Sequence, residues 1–477
     1  THAPPADTLL GPGADTSLSA LQERARQREH GGVGSLAWHP DGSAVYYVLE
    51  GELRRVDANG GTSTVVGPGG SQLAVSPDGR YLSMLRGGDL WLLDIASHDL
   101  LRATELGLSG IGTVAIGAYV RPDAYIGRYR WSPDSRSIAF EFIDQREVRR
   151  VPFPSYLHDE PLLHEVRRPY PGDTDLMRKL GILDLAALDL ANARLEWIGL
   201  EAVNRRLILE FEWAPDSERL LVMQGADVAE ERWIHIANLT EGSLDTVWHD
   251  QRPNRVYPIF RARWSGDGEH ILFIGDHEAF YRLYALDPAG GTPVRLTGDF
   301  DIAGDRSAAW MEIEANGDIL YVSSEHSPYE RHIYRLFVDD GRTERLSHMP
   351  GVHQPALSPD GRHLALMTSN DTTPTELYWL DIGADGTEKE RRITHSPLAE
   401  FDQYDWIEPR YVSFPSRIDD FTIHARIIEP PNFDPERRYP VIFGSIYSNT
   451  VLNYWNPDRP TSLLQQQMAL AGDYITV

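Results

Sequence analysis

Short apolar and aromatic runs alternate with polar turns along most of the chain, and the order of run and turn repeats. Trp38-His39-Pro40-Asp41-Gly42 returns as Val75-Ser76-Pro77-Asp78-Gly79, Trp131-Ser132-Pro133-Asp134-Ser135 and Trp213-Ala214-Pro215-Asp216-Ser217. It returns again as Trp264-Ser265-Gly266-Asp267-Gly268 and Leu357-Ser358-Pro359-Asp360-Gly361, with a degenerate copy at Ala315-Asn316-Gly317. Pro presets φ, Asp bonds its own backbone and Gly accepts positive φ, so each copy predicts a tight turn. An apolar strand follows the turn, as at 44–48, 137–140 and 363–367. Next comes an aromatic strand, as at 89–94, 281–287, 333–338 and 376–381, and then a short closing strand, as at 293–296, 343–346 and 391–394.

Four strands per repeat, separated by turn signals, are the pattern of β-propeller blades, which must stack because one blade cannot bury both its faces. The fold class this predicts is mainly β, a seven- or eight-bladed β-propeller over residues 33–400. Seven copies are visible, and the poorly patterned segment 103–130 or the chain ends leave room for an eighth. The interval from Asp134 to Asp216 exceeds the roughly 40–50 residues that four strands and their turns need, so an insertion is expected there. A β-sandwich with chance Pro-Asp-Gly turns is the competing reading, and the recurrence in one strand context argues against it.

Outside the repeat, residues 1–32 form an N-terminal segment in which 17–29 read as a helix, with Ser17 as N-cap and Gly31-Gly32 as the stop. After about Glu400 the pattern changes. Residues 411–414 and 421–428 suggest a hairpin, 439–444 form a continuous apolar run, 461–471 read as a helix and 474–477 begin another β-like run. Strand, helix, strand opens a parallel α/β sheet, so 401–477 read as the start of an α/β domain that continues beyond Val477.

Composition narrows the chemistry. Lys and Arg number 45 against 71 Asp and Glu, a formal charge of −26. That balance argues against a phosphate-tracking nucleic-acid binder and a polybasic membrane-surface protein. No apolar run is long enough to span a bilayer. The chain has no Cys, which removes disulfides, thiolate metal sites and thiol nucleophiles. The 17 His are scattered. The one tempting metal cluster, His158 and His164 near Asp159, Glu160 and Glu165, lacks helical ligand spacing and reads as a surface loop. No nucleotide-binding glycine loop is present, so no cofactor is expected. Nothing favours periplasm over cytoplasm, and the oligomeric state, including a homodimer, stays open.

Three stretches resemble the serine peptidase family of prolyl oligopeptidase and dipeptidyl peptidase IV. The first is Trp131-Ser132-Pro133-Asp134 with Ile138-Ala139-Phe140-Glu141-Phe142, followed later by Arg167-Arg168-Pro169-Tyr170-Pro171-Gly172. The second is Ile427-Ile428-Glu429-Pro430-Pro431-Asn432-Phe433-Asp434 with Arg438-Tyr439-Pro440-Val441-Ile442, and the third runs from Thr461 through Gly472-Asp473-Tyr474-Ile475-Thr476-Val477. The resemblance implies a propeller followed by the first part of an α/β-hydrolase domain, and a serine peptidase acting on short peptides. Such chemistry needs a Gly-x-Ser-x-Gly elbow, an Asp and a His. No such elbow occurs in this sequence. The triad is therefore expected beyond residue 477, and the 477-residue chain alone is expected to be inactive. The resemblance assigns Tyr447 as candidate oxyanion donor, with an apparent one-residue offset; packing against Trp455 is the other reading. Dipeptidyl peptidases carry adjacent Glu residues before the Trp-Ser-Pro-Asp blade to hold the substrate's amino terminus. Here the stretch is Arg121-Pro122-Asp123, which leaves Asp123 as the candidate substrate contact and disfavours strict dipeptide release. A non-catalytic propeller that binds a protein or peptide is the alternative function.

Overall fold

A computed structural model describes residues 32–109, 122–156, 162–185, 194–200, 206–226, 231–252, 261–278, 280–302, 310–382, 390–397, 399–419, 421–443, 451–455, 461–472 and 474–477. The chain divides into two compact units, residues 1–256 and 257–477. Each is built of four-stranded antiparallel sheets whose hydrogen-bonded neighbours follow chain order. The first unit holds sheets spanning 36–68, 71–102, 124–197 and 206–251, and the second holds sheets spanning 262–295, 311–345 and 352–392. We number these blades one to seven. The fold is mainly β, a seven-bladed β-propeller.

Among the described residues there is no eighth blade. The segment held open for one instead supplies Ala124–Trp131, the first strand of blade three, which pairs with Ser137–Asp144. The expected insertion is there: a hairpin of Arg150–Ser155 and Leu162–Arg167 rises between the second and third strands of blade three. The 17–29 helix lies outside the described residues.

Within each unit, neighbouring blades meet over apolar clusters. Leu53, Leu82 and Met84 fill the space between blades one and two, and Leu90, Leu92, Ile126 and Phe140 that between two and three. In the second unit Ile274, Leu283 and Tyr321 join blades five and six, and Leu320, Leu364 and Leu380 join six and seven. Burial of these side chains at roughly 25 cal/mol per Å² is the main force holding successive sheets together.

The repeated turn works as its residue types require. Ser76 Oγ donates to Asp78 Oδ1 at 2.6 Å and accepts the Tyr81 N–H at 2.9 Å, while Asp78 Oδ1 accepts the Arg80 N–H at 3.1 Å. The same bonds recur around Ser132, Ser265 and Ser358. The turn residue after Asp sits at positive φ: 75° at Gly79 and 70° at Gly361, but also 63° at Ser135 and 62° at Ser217. Those two serines carry strain of order 1 kcal/mol that Gly would not. Their hydroxyls reach the preceding blade: Asp78 N–H donates to Ser135 Oγ at 3.0 Å, and Asp134 N–H donates to Ser217 Oγ at 3.1 Å. His39 Nε2 lies 3.2 Å from the Gly79 carbonyl, so the turns of blades one to four are linked in series.

A second repeat closes the blades. Arg102-Ala103-Thr104, Arg295-Leu296-Thr297, Arg345-Leu346-Ser347 and Arg392-Ile393-Thr394 each end a blade. Each hydroxyl accepts a third-strand N–H, from Leu90, Leu283, Ile333 and Leu377 respectively. In blade seven the hydroxyl also donates to Glu376, which takes Ser396 N–H at 2.7 Å, Ser396 Oγ at 2.8 Å and Arg392 Nη2 at 3.0 Å. Burial opposes the charge, yet these donors hold the Glu376 carboxyl at about 2, below its ordinary 4.5. A depressed carboxyl contributes stability that is complete above the unfolded value and is lost as pH falls from about 4.5 through about 2. Glu376→Gln is expected to cost roughly 3 kcal/mol at neutral pH and to flatten the acid limb of the unfolding profile; urea midpoints measured from pH 2 to 7 check this.

Beyond blade seven, the structure has a short 3-10 helix at Ala399–Gln403, a hairpin of Arg410–Pro415 and Thr422–Ile427, and an α-helix at Thr461–Gly472. Val441–Ile442 and Ile475–Thr476 pair in parallel. The strand–helix–strand order matches the sequence expectation, but the α/β-hydrolase domain itself is not present in the chain. Among the described residues of the apolar run, Val441–Ile442 pair in parallel over two residues with an equally short neighbour. No helix among the described residues is long and apolar enough to cross a membrane.

Candidate functional site

Asp123 stands immediately before the first strand of blade three, and its backbone carbonyl accepts the Gln145 N–H from the end of the second strand. Its carboxylate faces Arg167, the last residue of the inserted hairpin. Arg167 Nε and Nη2 each donate to one carboxylate oxygen at 2.7 Å, and Nη1 donates to the carbonyls of Arg146 and Val148. Both side chains are buried. A bidentate guanidinium whose Nη1 protons are taken up by two carbonyls is the geometry that makes a buried ion pair tolerable. Next to it, Arg146 holds the Asp144 carboxyl below the usual carboxylate range, with Nη2 at 2.6 Å from Oδ2. The result is an Asp–Arg–Asp–Arg arrangement that fixes the inserted hairpin to blade three.

Beside this pair a cavity of about 410 Å³ opens between blades two and three. Gln72, Arg86, Tyr125, Arg128 and Glu141 line it, with the tight Gly87-Gly88 turn at its edge. Glu141 accepts from Arg128 at 2.9 Å and from Arg178 at 2.8 Å, so both its oxygens are engaged. Arg128 also reaches the carbonyls of Ile208 and Leu209 in blade four. The Arg86 guanidinium lies 5.3 Å from the centre of the Trp91 ring. With Arg128 engaged by Glu141 and the blade-four carbonyls, Arg86 is the guanidinium that suits this wall to groups accepting hydrogen bonds, such as peptide carbonyls and carboxylates.

In the second unit a polar centre joins blades six and seven to the C-terminal elements. Buried Asp371 accepts from Arg426 Nε and Nη2 at 2.6 Å each and from the Tyr411 hydroxyl. Burial pushes the Asp371 carboxyl up, against the opposing pull of Arg426. The Asp371 N–H donates to Asn453 Oδ1 at 2.9 Å, and Asn453 N–H donates to the Tyr329 carbonyl at 2.8 Å. The Tyr329 ring packs on Tyr411 at 4.4 Å, and its hydroxyl lies 3.0 Å from His424 Nδ1. Gln466 of the α-helix exchanges two hydrogen bonds with the Ile407 backbone.

Of the residues singled out in the sequence, Asp123 is described and its carboxylate is already paired. Tyr447 lies outside the described residues. Trp455, named as its packing partner, contacts Phe401 at 5.6 Å and Trp406 at 5.3 Å. His158 and the His164 side chain also lie outside what is described. Sequence reasoning missed Arg167, Glu376, Asp371 and Arg426. Glu376 was readable, because the Arg-x-Thr closure recurs. The others meet partners far along the chain and leave no local signal.

The geometry defines a propeller whose blade three carries an inserted hairpin and whose last blades bond to the C-terminal hairpin and the 451–455 segment. The chain matches the family model for the dipeptidyl peptidase IV N-terminal region over residues 36–375, and it belongs to that family. It is similar to the probable dipeptidyl-aminopeptidase B of Aspergillus clavatus, 23% identical over 480 residues that make up 92% of this chain and 50% of the relative. It is also similar to the dipeptidyl-aminopeptidase B of Aspergillus niger, 21% identical over 78% of this chain and 44% of the relative. The chain thus spans about half the length of the curated relatives it matches. Its fold is that of the crystal structure of Porphyromonas gingivalis dipeptidyl peptidase 4, at a TM-score of 0.71, 17% identity, and coverage of 93% of this chain and 64% of that one.

Proposed function

We propose that this chain is the propeller and the entry elements of a serine peptidase that hydrolyses short peptides, with the Ser, Asp and His of the triad carried by the hydrolase domain that follows in sequence. The family match across blades one to seven carries this reading, and relatives of twice the length named as dipeptidyl-aminopeptidases support it. In this reading 33–400 form the propeller that screens the active site from folded proteins, and 401–477 open the hydrolase domain, with Tyr447 as oxyanion donor. The exposed apolar side chains Phe414, Ile418, Phe421, Ile423 and Phe443 are a surface for the rest of that domain. Asp123 positions the inserted hairpin through Arg167, and its neighbour Pro122 lines the cavity that would face substrate.

The stretch Arg121-Pro122-Asp123 favours cleavage that does not depend on a free substrate amine. The test uses the product of the complete gene. A fluorophosphonate probe is expected to label one Ser outside residues 1–477, and N-acylated Xaa-Pro anilides are expected to be cleaved as readily as free-amine ones. Absence of a labelled Ser, or turnover by the 477-residue chain alone, would overturn the reading; strict dependence on a free amine would restore dipeptide release.

A further inference from the structure

One third-strand position varies from blade to blade. The closing-strand Arg lies opposite an aromatic residue of the third strand: Trp91 with Arg102, Tyr284 with Arg295, Tyr334 with Arg345, Tyr378 with Arg392. Two residues before that aromatic stand Asp89, Arg282, His332 and Glu376. In blades two and seven that position is a carboxylate held by the Arg and the hydroxyl of the closing motif. In blade six it is a histidine.

His332 is 1% exposed in its side chain, and its surroundings are specific. Nδ1 lies 3.1 Å from Ser347 Oγ, the hydroxyl of the closing motif. Nε2 lies 3.0 Å from Glu330 Oε2. The other oxygen of Glu330 accepts from Asn453 Nδ2 at 3.3 Å, which fixes the carboxylate plane. His326 Nε2 stands 4.0 Å from the same Glu330 Oε2, and the side chain is 53% exposed. One ligand atom from each of the three residues falls within 4.8 Å of the others.

We propose that His326, Glu330 and His332 form a binding site for a divalent transition metal ion of the zinc class. Two imidazole nitrogens and one carboxylate oxygen, with a fourth position left to water, are a ligand set zinc takes. Ligand atoms about 2.0–2.1 Å from a tetrahedral ion are about 3.3 Å apart; Glu330 Oε2 stands 3.0 and 4.0 Å from the two imidazole nitrogens and all three atoms lie within 4.8 Å of one another, so closing the site takes shifts of up to about 1.5 Å. The exposed His326 is free to make them. Ser347 on the far nitrogen of His332 is the outer partner that orients a metal-bound imidazole. Arg345 acts electrostatically on His326, and its positive charge tempers the affinity. Through Asn453, a bound ion steadies the 451–455 segment against blade six.

The test is Zn(II) titration of chelator-stripped protein against a chromogenic competitor, with Co(II) absorption as the spectroscopic counterpart. One equivalent is expected to bind with a tetrahedral Co(II) band. His326→Ala, at an exposed position, is expected to keep the native circular dichroism and to weaken that equivalent at least about tenfold. His395→Ala, at another exposed histidine, is expected to leave it unchanged. Absence of a saturable equivalent, or one that survives His326→Ala with its affinity and band intact, overturns the site.

Discussion

Replacing Arg426 by Met is expected to cost about 3–5 kcal/mol of stability in residues 257–477, because it strands a buried carboxylate. Asp371 has a side chain 5% exposed and keeps only the Tyr411 hydroxyl and distant dipoles once the guanidinium is gone. Met replaces the aliphatic stem, so the loss reports the charge rather than a cavity. The pH dependence carries a sign. Burial already raises the Asp371 carboxyl, and losing Arg426 raises it further. A folded-state value above the unfolded one means that stability returns as pH falls and the carboxyl takes its proton. The deficit in urea midpoint should therefore be largest near neutrality and shrink below pH 5, and tryptophan fluorescence from Trp406 and Trp455 reports on the elements concerned. A deficit unchanged between pH 7 and pH 4.5 would mean that Asp371 is not the stranded group.

The second large effect is expected at Arg167. Arg167→Met leaves Asp123 buried beside blade three without its bidentate partner, again at about 3–5 kcal/mol, and releases the hairpin at 150–167. Limited proteolysis within that hairpin should accelerate. Asp123→Asn combined with Arg167→Met should recover part of the loss, since the pair is worth less than the penalty of breaking it. In the product of the complete gene, a positioning role for Asp123 predicts that Asp123→Asn alters KM for acylated and free-amine peptides alike. A selective rise in KM for free-amine peptides would instead give Asp123 a direct contact with the substrate amine.

The blades were legible because their signal is local. Ser-Pro-Asp-Gly contains its own hydrogen bonds, and the strand after it follows from the turn, so counting turns came close to counting blades. The eighth blade arose where the signal is silent: 103–130 lacks a turn motif, and Ala124–Trp131 joins blade three through a partner strand already counted. The insertion was legible as surplus length, its hairpin pairing was not. The candidate site was less legible still. Asp123 was found by position in a family pattern, but its partner lies on the far side of an inserted hairpin, and sequence spacing does not say which guanidinium a carboxylate meets. Asp371 belongs to blade seven and Arg426 to the hairpin that follows it, and periodicity carries no information about how the two dock.

The serial linkage of turns in the first unit has a bearing on how it comes apart. His39, Ser135 and Ser217 each latch one blade's turn to its neighbour's, and two of the three do so from a backbone pose that glycine would hold more comfortably. Trading those serines for glycine would relax each corner while uncoupling the row, and the blades are then expected to fray more independently of one another.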